Sequence, residues 1–257
     1  MLDCPTRLRK STSARTSRKN RTHPNHYGVL RTPDLDSAQQ DTNGHPRSWF
    51  LEINPNGRIP ALTDTFADGQ QIRLFESGSI LQYLVEQYDT PAHRISYPAG
   101  SREAYEVNNW LFYQNAGVGP MQGQANHFVR YAPEDIPYGK TRYTNETRRL
   151  YSVLDKHLAG KQAASGYLVG NHLSVADISL WGWVAAAGWA GVDIDEFPHL
   201  KAWEERLAKR DGVEKGRHVP DPHRMKELMA DKEKMQKYAE QSKKWIQEGM
   251  KADAEKL

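Results

Sequence analysis

The sequence predicts an α/β unit followed by an all-helical bundle, and three observations carry that prediction. Two short apolar runs, one entered through Ile59-Pro60 and the other Gln71–Phe75, flank the turn-forming residues Ala67-Asp68-Gly69-Gln70 and lead into the helical period Ile80-Leu81-Tyr83-Leu84-Val85. The stretch Asp89–Pro98 collects proline and turn formers, as a domain boundary does. From Ser101 onward apolar residues recur at helical spacing, with no further strand pattern.

The elements follow in order. A short helix starts near Trp49. It leads to the Ile59-Pro60 turn, where an X-Pro bond is able to be cis and then turns the backbone N–H and C=O of Ile59 outward. Gln71-Ile72-Arg73-Leu74-Phe75 reads as a strand and Ser77 as the opening of a helix ending near Tyr88, so that the free N–H groups and positive dipole end of this helix face outward. Such a terminus suits a carboxylate. Two long helices are expected over Ser101 to about Val129 and Asp135 to His157. Leu173-Ser174-Val175-Ala176-Asp177-Ile178 reads as a helix start, with Ser174 and Asp177 capping reciprocally and Leu173 packing on Ile178. Its role is folding. Ile178, Leu180, Trp181, Trp183 and Val184 continue that helix, and Phe197–Leu200 with Trp203 begin the next. After Pro220 and Pro222, the residues Met225, Leu228, Met229, Met235, Tyr238, Trp245 and Ile246 recur at steps of three and four, which predicts an amphipathic helix packed on the bundle or on a partner chain.

Residues 1–44 differ from the rest. Over the first thirty-one, Arg7, Arg9, Lys10, Arg15, Arg18, Lys19, Arg21 and Arg31 stand against Asp3 alone; large apolar residues are few throughout and no period is sustained, so the segment is read as disordered or aberrant. The composition resembles a mitochondrial transit peptide but lacks the apolar face of one. The competing reading is a shifted or misassembled N-terminus. The domains are therefore placed at 1–44, 45–89 for the α/β unit, 90–98 for the linker, 99–219 for the bundle and 220–257 for the charged helical extension.

The block Trp49-Phe50-Leu51-Glu52-Ile53-Asn54-Pro55-Asn56-Gly57-Arg58-Ile59-Pro60-Ala61-Leu62, followed by Glu76-Ser77-Gly78-Ser79-Ile80, resembles the glutathione-binding half of glutathione S-transferases. The likeness is to the fungal subgroup related to a yeast nitrogen-catabolite prion regulator. Asn108–Asn115, Gly119–Gln124 and Ala187–Gly191 resemble the helical domain of that subgroup, and the resemblance runs from about Trp49 to the C-terminus. It implies a thioredoxin-like N-terminal domain whose first strand and helix are missing or altered in this chain, because residues 1–44 carry no recognisable strand and helix.

The resemblance also implies glutathione as co-substrate. Glutathione presents an α-carboxylate and ammonium at one end, a cysteinyl backbone in the middle and a glycyl carboxylate at the other. Ser77 is expected to take the γ-glutamyl carboxylate, Glu76 the ammonium, Ile59 the cysteinyl backbone and Arg58 the glycyl carboxylate, with His45 at a further contact position. Glu76-Ser77 and the Ile59-Pro60 pair have plainer alternatives, since serine caps helices in any protein and proline ends strands. Trp110, Tyr113, Asn115, Gln124, His127 and Phe128 on the first long helix are the candidates for a second-substrate pocket, and bundle core is the alternative for them. The group that activates the thiol is unknown from the sequence. Asn25, in Pro24-Asn25, is the weak candidate, because the glycine and helix that should follow it are replaced by His26-Tyr27. Cys4 reads as a tail thiol.

Composition bounds the rest. A chain of 257 residues, 38% hydrophobic, is long enough to build a core. It has no apolar run near the roughly 20 residues of a membrane span. One cysteine permits neither an internal disulfide nor a cysteine zinc cluster, and no metal site is expected. The basic segment lacks interleaved aromatics, so nucleic acid is not an expected partner. The reading is a cytoplasmic, dimeric detoxification enzyme that joins the glutathione thiolate to small apolar electrophiles, with glutathione-dependent peroxidase or disulfide reductase chemistry open beside it. Mitochondrial placement is the lesser alternative, and a catalytically silent glutathione-binding or regulatory scaffold is the rival from another class.

Overall fold

The computed structural model describes residues 48–66, 68–219, 228 and 230–254. The expectations for Cys4, Asn25 and His45, for the segment 1–44, and for Ala67, Pro220, Pro222, Met225 and Met229 lie outside the described residues.

Phe50, 4% exposed, anchors the short helix α1 (Ser48–Ile53). The chain then turns on Asn54. Its buried side chain accepts from the Asn56 N–H at 2.9 Å and donates to the Arg58 carbonyl, while Gly57 takes φ 66, a conformation glycine adopts without a Cβ clash. The Ile59–Pro60 bond that follows is cis. Strand β1 (Ala61–Thr65) pairs antiparallel with β2 (Gln71–Phe75), with Ala61 opposite Phe75 and Thr65 opposite Gln71. The turn between them uses Gly69 at φ 82 and the Asp68 carboxylate, which accepts from the Gln70 N–H at 2.9 Å. Glu76 alone separates β2 from helix α2 (Ser77–Tyr88), which buries Gly78, Leu81 and Tyr83. These α/β elements match the sequence reading closely in order and bounds.

The linker is tied down by Asp89. Its carboxylate accepts from the N–H groups of Arg94 and Ile95 and from the Ser96 hydroxyl, all within 2.7–2.9 Å, and the linker contains a second cis bond, Thr90–Pro91. Helix α3 (Arg102–Tyr113) starts at Ser101, whose hydroxyl accepts from the Ala104 N–H at 3.1 Å. One helix was expected to run from here to about Val129. The rod is continuous, but two π turns interrupt it: Gln114–Val118, then α4 (Gly119–Asn126), then His127–Tyr131. Pro120 explains the first. Proline has no N–H and crowds the carbonyl four residues back, and the wider turn ahead of it relieves that conflict, with the Gly119 N–H reaching the Gln114 carbonyl.

Helix α5 (Pro137–Ala159) packs along this rod and buries Thr147, Leu150, Tyr151 and Leu154. Helix α6 (Val175–Ala185) lies in the core through Leu180 and Val184, and α7 (Pro198–Ala208) adds Leu200, Trp203 and Leu207. The capping box at Ser174 and Asp177 is present as expected. A short α8 (Asp211–Gly216) follows. The last helix, α9 (Lys232–Ala254), packs on the second π turn: Ala239 is buried, the Tyr238 ring meets Trp189 edge-on at 5.7 Å, and Gln247 Nε2 donates to the Tyr131 carbonyl at 3.0 Å. Of the two surfaces expected to receive this helix, the bundle of its own chain does so. Among the described residues no helix is long and apolar enough to cross a membrane.

Candidate functional site

Register brings the predicted residues together. Because Ala61 faces Phe75, the residues just before β1 and just after β2 share one end of the sheet, so Arg58, Ile59, Glu76 and Ser77 converge there. Arg58 is exposed and its carbonyl is fixed by Asn54, while Ile59 is half-buried.

Glu76 enters the helix at φ 67 and ψ 122, a conformation that costs a residue with a Cβ roughly 1–3 kcal/mol. Its side chain makes no capping bond and is exposed. Consequently the helix begins abruptly. The first backbone donor with a helical acceptor is Ile80, whose N–H reaches the Glu76 carbonyl at 3.0 Å, which leaves the N–H groups of Ser77, Gly78 and Ser79 at an anion-attracting end. Ser77 was read both as ligand residue and as cap. It is the first helical residue, Glu76 holds the cap position, and the Ser77 hydroxyl points to Asn115 Oδ1 at 3.5 Å.

The six second-substrate candidates divide. Asn115 faces Ser77 and Gly78. Trp110 and Tyr113 face α5 instead: the Trp110 ring packs on His157 at 4.6 Å, and the Tyr113 hydroxyl donates to the Leu150 carbonyl at 3.0 Å. Burial pushes the Tyr113 phenol up to about 12. Phe128 stacks on Tyr143 at 5.4 Å and 9°, His127 meets Phe128 edge-on, and Gln124 is exposed. Three of the rings therefore serve bundle packing. Helical spacing alone could not separate these faces, because the π turns rotate everything beyond Tyr113.

Two positioning groups escaped the sequence reading. Asn54 had a signal, the Asn-Pro-Asn-Gly run typical of side-chain-closed turns. Asp64 had none. Its carboxylate accepts from Tyr83 and Tyr88 of α2, and burial followed by the Asp64 carboxylate raises both phenols. Among the described residues no group of three or more His, Cys, Asp or Glu side chains is placed to hold a metal ion.

Residues 34–92 match the family description "Glutathione S-transferase, N-terminal domain" and residues 127–215 match "Glutathione S-transferase, C-terminal domain". The first match begins upstream of His45. The Glutathione S-transferase-like protein gedE of Aspergillus terreus is 42% identical over 175 residues, covering 65% of this chain and 76% of that protein. The Disulfide-bond oxidoreductase YfcG of Escherichia coli is 43% identical over 169 residues, covering 65% and 74%. Among solved structures, a glutathione transferase homolog from Lodderomyces elongisporus with two GSH per subunit is 43% identical, with a TM-score of 0.66 over 69% of this chain and 83% of that one. Ure2p in complex with glutathione is 34% identical, with a TM-score of 0.59 over 66% and 80%. The likeness to the prion-regulator subgroup thus holds.

Proposed function

The chain belongs to the glutathione S-transferase family, and on that premise we propose that it binds glutathione at the shared end of β1 and β2 and directs the thiolate at small apolar electrophiles. The observation that carries this is the convergence of the Ile59–Pro60 bond with the abrupt start of α2. That frame fits the tripeptide in three places. The amides and hydroxyl at Ser77 suit the γ-glutamyl carboxylate, with the Glu76 carboxylate beside them for the ammonium. The backbone of Ile59 suits the cysteinyl unit. The Arg58 guanidinium suits the glycyl carboxylate.

The chemistry requires a thiolate, and an ordinary thiol near 8.5 is mostly protonated at neutral pH. A donor to the sulfur holds the anion. Asn25 is the residue proposed for that role. The sulfur then forms a bond to the electrophilic carbon, whose leaving group departs with its electron pair. Tyr105 and Phe112, 65% and 66% exposed and seven residues apart on α3, support pairing of two copies through this face.

A second reading, glutathione-dependent disulfide reduction, is favoured by the name of YfcG and by the two glutathiones in the Lodderomyces homolog. There the thiolate attacks a disulfide sulfur and expels one half of the substrate as thiolate, and a second glutathione attacks the mixed disulfide and expels the other half, leaving two substrate thiols and oxidised glutathione.

Calorimetric titration with glutathione tests the site. Ser77→Ala should weaken binding about 10- to 100-fold, the loss of a hydrogen bond to a charged group. Unchanged affinity would remove Ser77 from the site. Turnover with 1-chloro-2,4-dinitrobenzene and with hydroxyethyl disulfide then separates the two chemistries, and binding with neither would favour the silent scaffold.

A further inference from the structure

Asn115 sits in the first π turn of the long rod, half-buried, against the first turn of α2. Two contacts define its place. Ser77 Oγ donates to Oδ1 at 3.5 Å, longer than a settled hydroxyl bond. A Cβ on Gly78 would stand 2.6 Å from Nδ2, so the amide lies flush on the second residue of the helix, an approach that only glycine leaves open. Seven residues earlier, Asn108 Oδ1 accepts from Gln82 Nε2 at 2.8 Å, so one face of the rod meets α2 through side-chain amides at both ends.

At the Asn115 end this amide lies against Ser77 and Gly78, two residues of the anion-attracting first turn. We propose that Asn115 is a specificity residue for the γ-glutamyl carboxylate, contributed by the helical half of the chain. Its Oδ1 holds the Ser77 hydroxyl until the anion arrives, and its Nδ2 adds an N–H donor beside the first-turn amides. The long Ser77–Asn115 contact costs little to exchange for a charge-assisted bond to the carboxylate. Glutathione binding then reports on the docking of the two halves of the molecule. The proposal rests on the glutathione reading of Ser77.

The experiment titrates the full-length wild-type, Asn115→Leu and Ser77→Ala proteins with glutathione and with γ-aminobutyryl-cysteinylglycine, which keeps the amine and thiol but lacks this carboxylate. Asn115→Leu should weaken glutathione about tenfold and leave the analogue unchanged. Equal weakening of both ligands would assign Asn115 to the structural seam and overturn the proposal. Wild-type affinity in Asn115→Leu, with Ser77→Ala impaired, would overturn it while leaving the glutathione site standing. If Ser77→Ala also binds normally, the anion assignment at α2 falls and the proposal falls with it. Asn115→Ser, titrated with the same two ligands after its melting temperature shows it folded, supplies the same readout where the leucine variant folds poorly.

Discussion

Asp64 on β1 accepts from the Tyr83 hydroxyl of α2 at 2.9 Å, and the Tyr88 hydroxyl converges on the same oxygen. The other carboxylate oxygen accepts from the Thr65 N–H at 2.7 Å. Two phenols from successive turns, held by one carboxylate, fix the tilt of α2 over the sheet and so the aim of its N-terminus. Asp64→Ala should lower unfolding free energy by about 1–3 kcal/mol, because Tyr83, 8% exposed, loses its acceptor. Urea unfolding measures this. A variant as stable as the wild type would mean that the clamp contributes nothing.

Glu76 is held at φ 67. Glycine relieves that strain, and even after its larger entropy loss on folding, Glu76→Gly should gain about 1 kcal/mol. The same change removes the carboxylate proposed for the ammonium, so glutathione affinity should fall. Glu76→Gln separates the effects: the melting temperature should stay put while affinity drops. Higher stability with undiminished binding would place the strain outside function.

Strand β2 and helix α2 were legible to the residue, because a one-residue junction between a strand pattern and a helix pattern leaves little freedom for either bound. Asn115 was read as a second-substrate candidate, and its contact with α2 was not legible. It was grouped with Trp110 and Tyr113 by spacing, and a π turn moved it to another face. Asp64 and Tyr83 lie 19 residues apart and meet only through tertiary packing, which no local pattern encodes. The second cis bond, Thr90–Pro91, sits in a run that reads only as linker.

Asp177 was assigned to folding from its cap, and the structure enlarges that role. Fully buried, it accepts from the Ser174 N–H at 3.0 Å, the Ser174 hydroxyl at 3.2 Å, the Leu168 N–H at 3.0 Å and the Trp203 indole at 2.9 Å. Burial pushes its carboxyl up, and the four donors oppose that push. Asp177→Ala would strand these donors and should cost at least about 3 kcal/mol. Urea unfolding followed by intrinsic tryptophan fluorescence reads the loss, and a shift below about 1 kcal/mol would contradict it.

Alkaline pH should unfold this protein through its tyrosines. Tyr83, Tyr88, Tyr97, Tyr113 and Tyr151 are all raised, chiefly by burial, and each hydroxyl donates to a carbonyl or side-chain oxygen. A folded-state value above the unfolded one means that the native protein keeps protons which the unfolded chain has released. Stability from these groups is therefore complete below about pH 10 and declines as pH rises beyond it. Tyr113, up to about 12 when folded, loses roughly 3 kcal/mol across that window. Tyr113→Phe gives up the bond to the Leu150 carbonyl, about 1 kcal/mol at pH 8, but no longer titrates. The unfolding free energies of the two proteins, followed by urea titration from pH 8 upward, should cross near pH 11, with the phenylalanine variant the more stable beyond the crossing. Curves that stay parallel would mean that folding does not hold the Tyr113 hydroxyl in its protonated form.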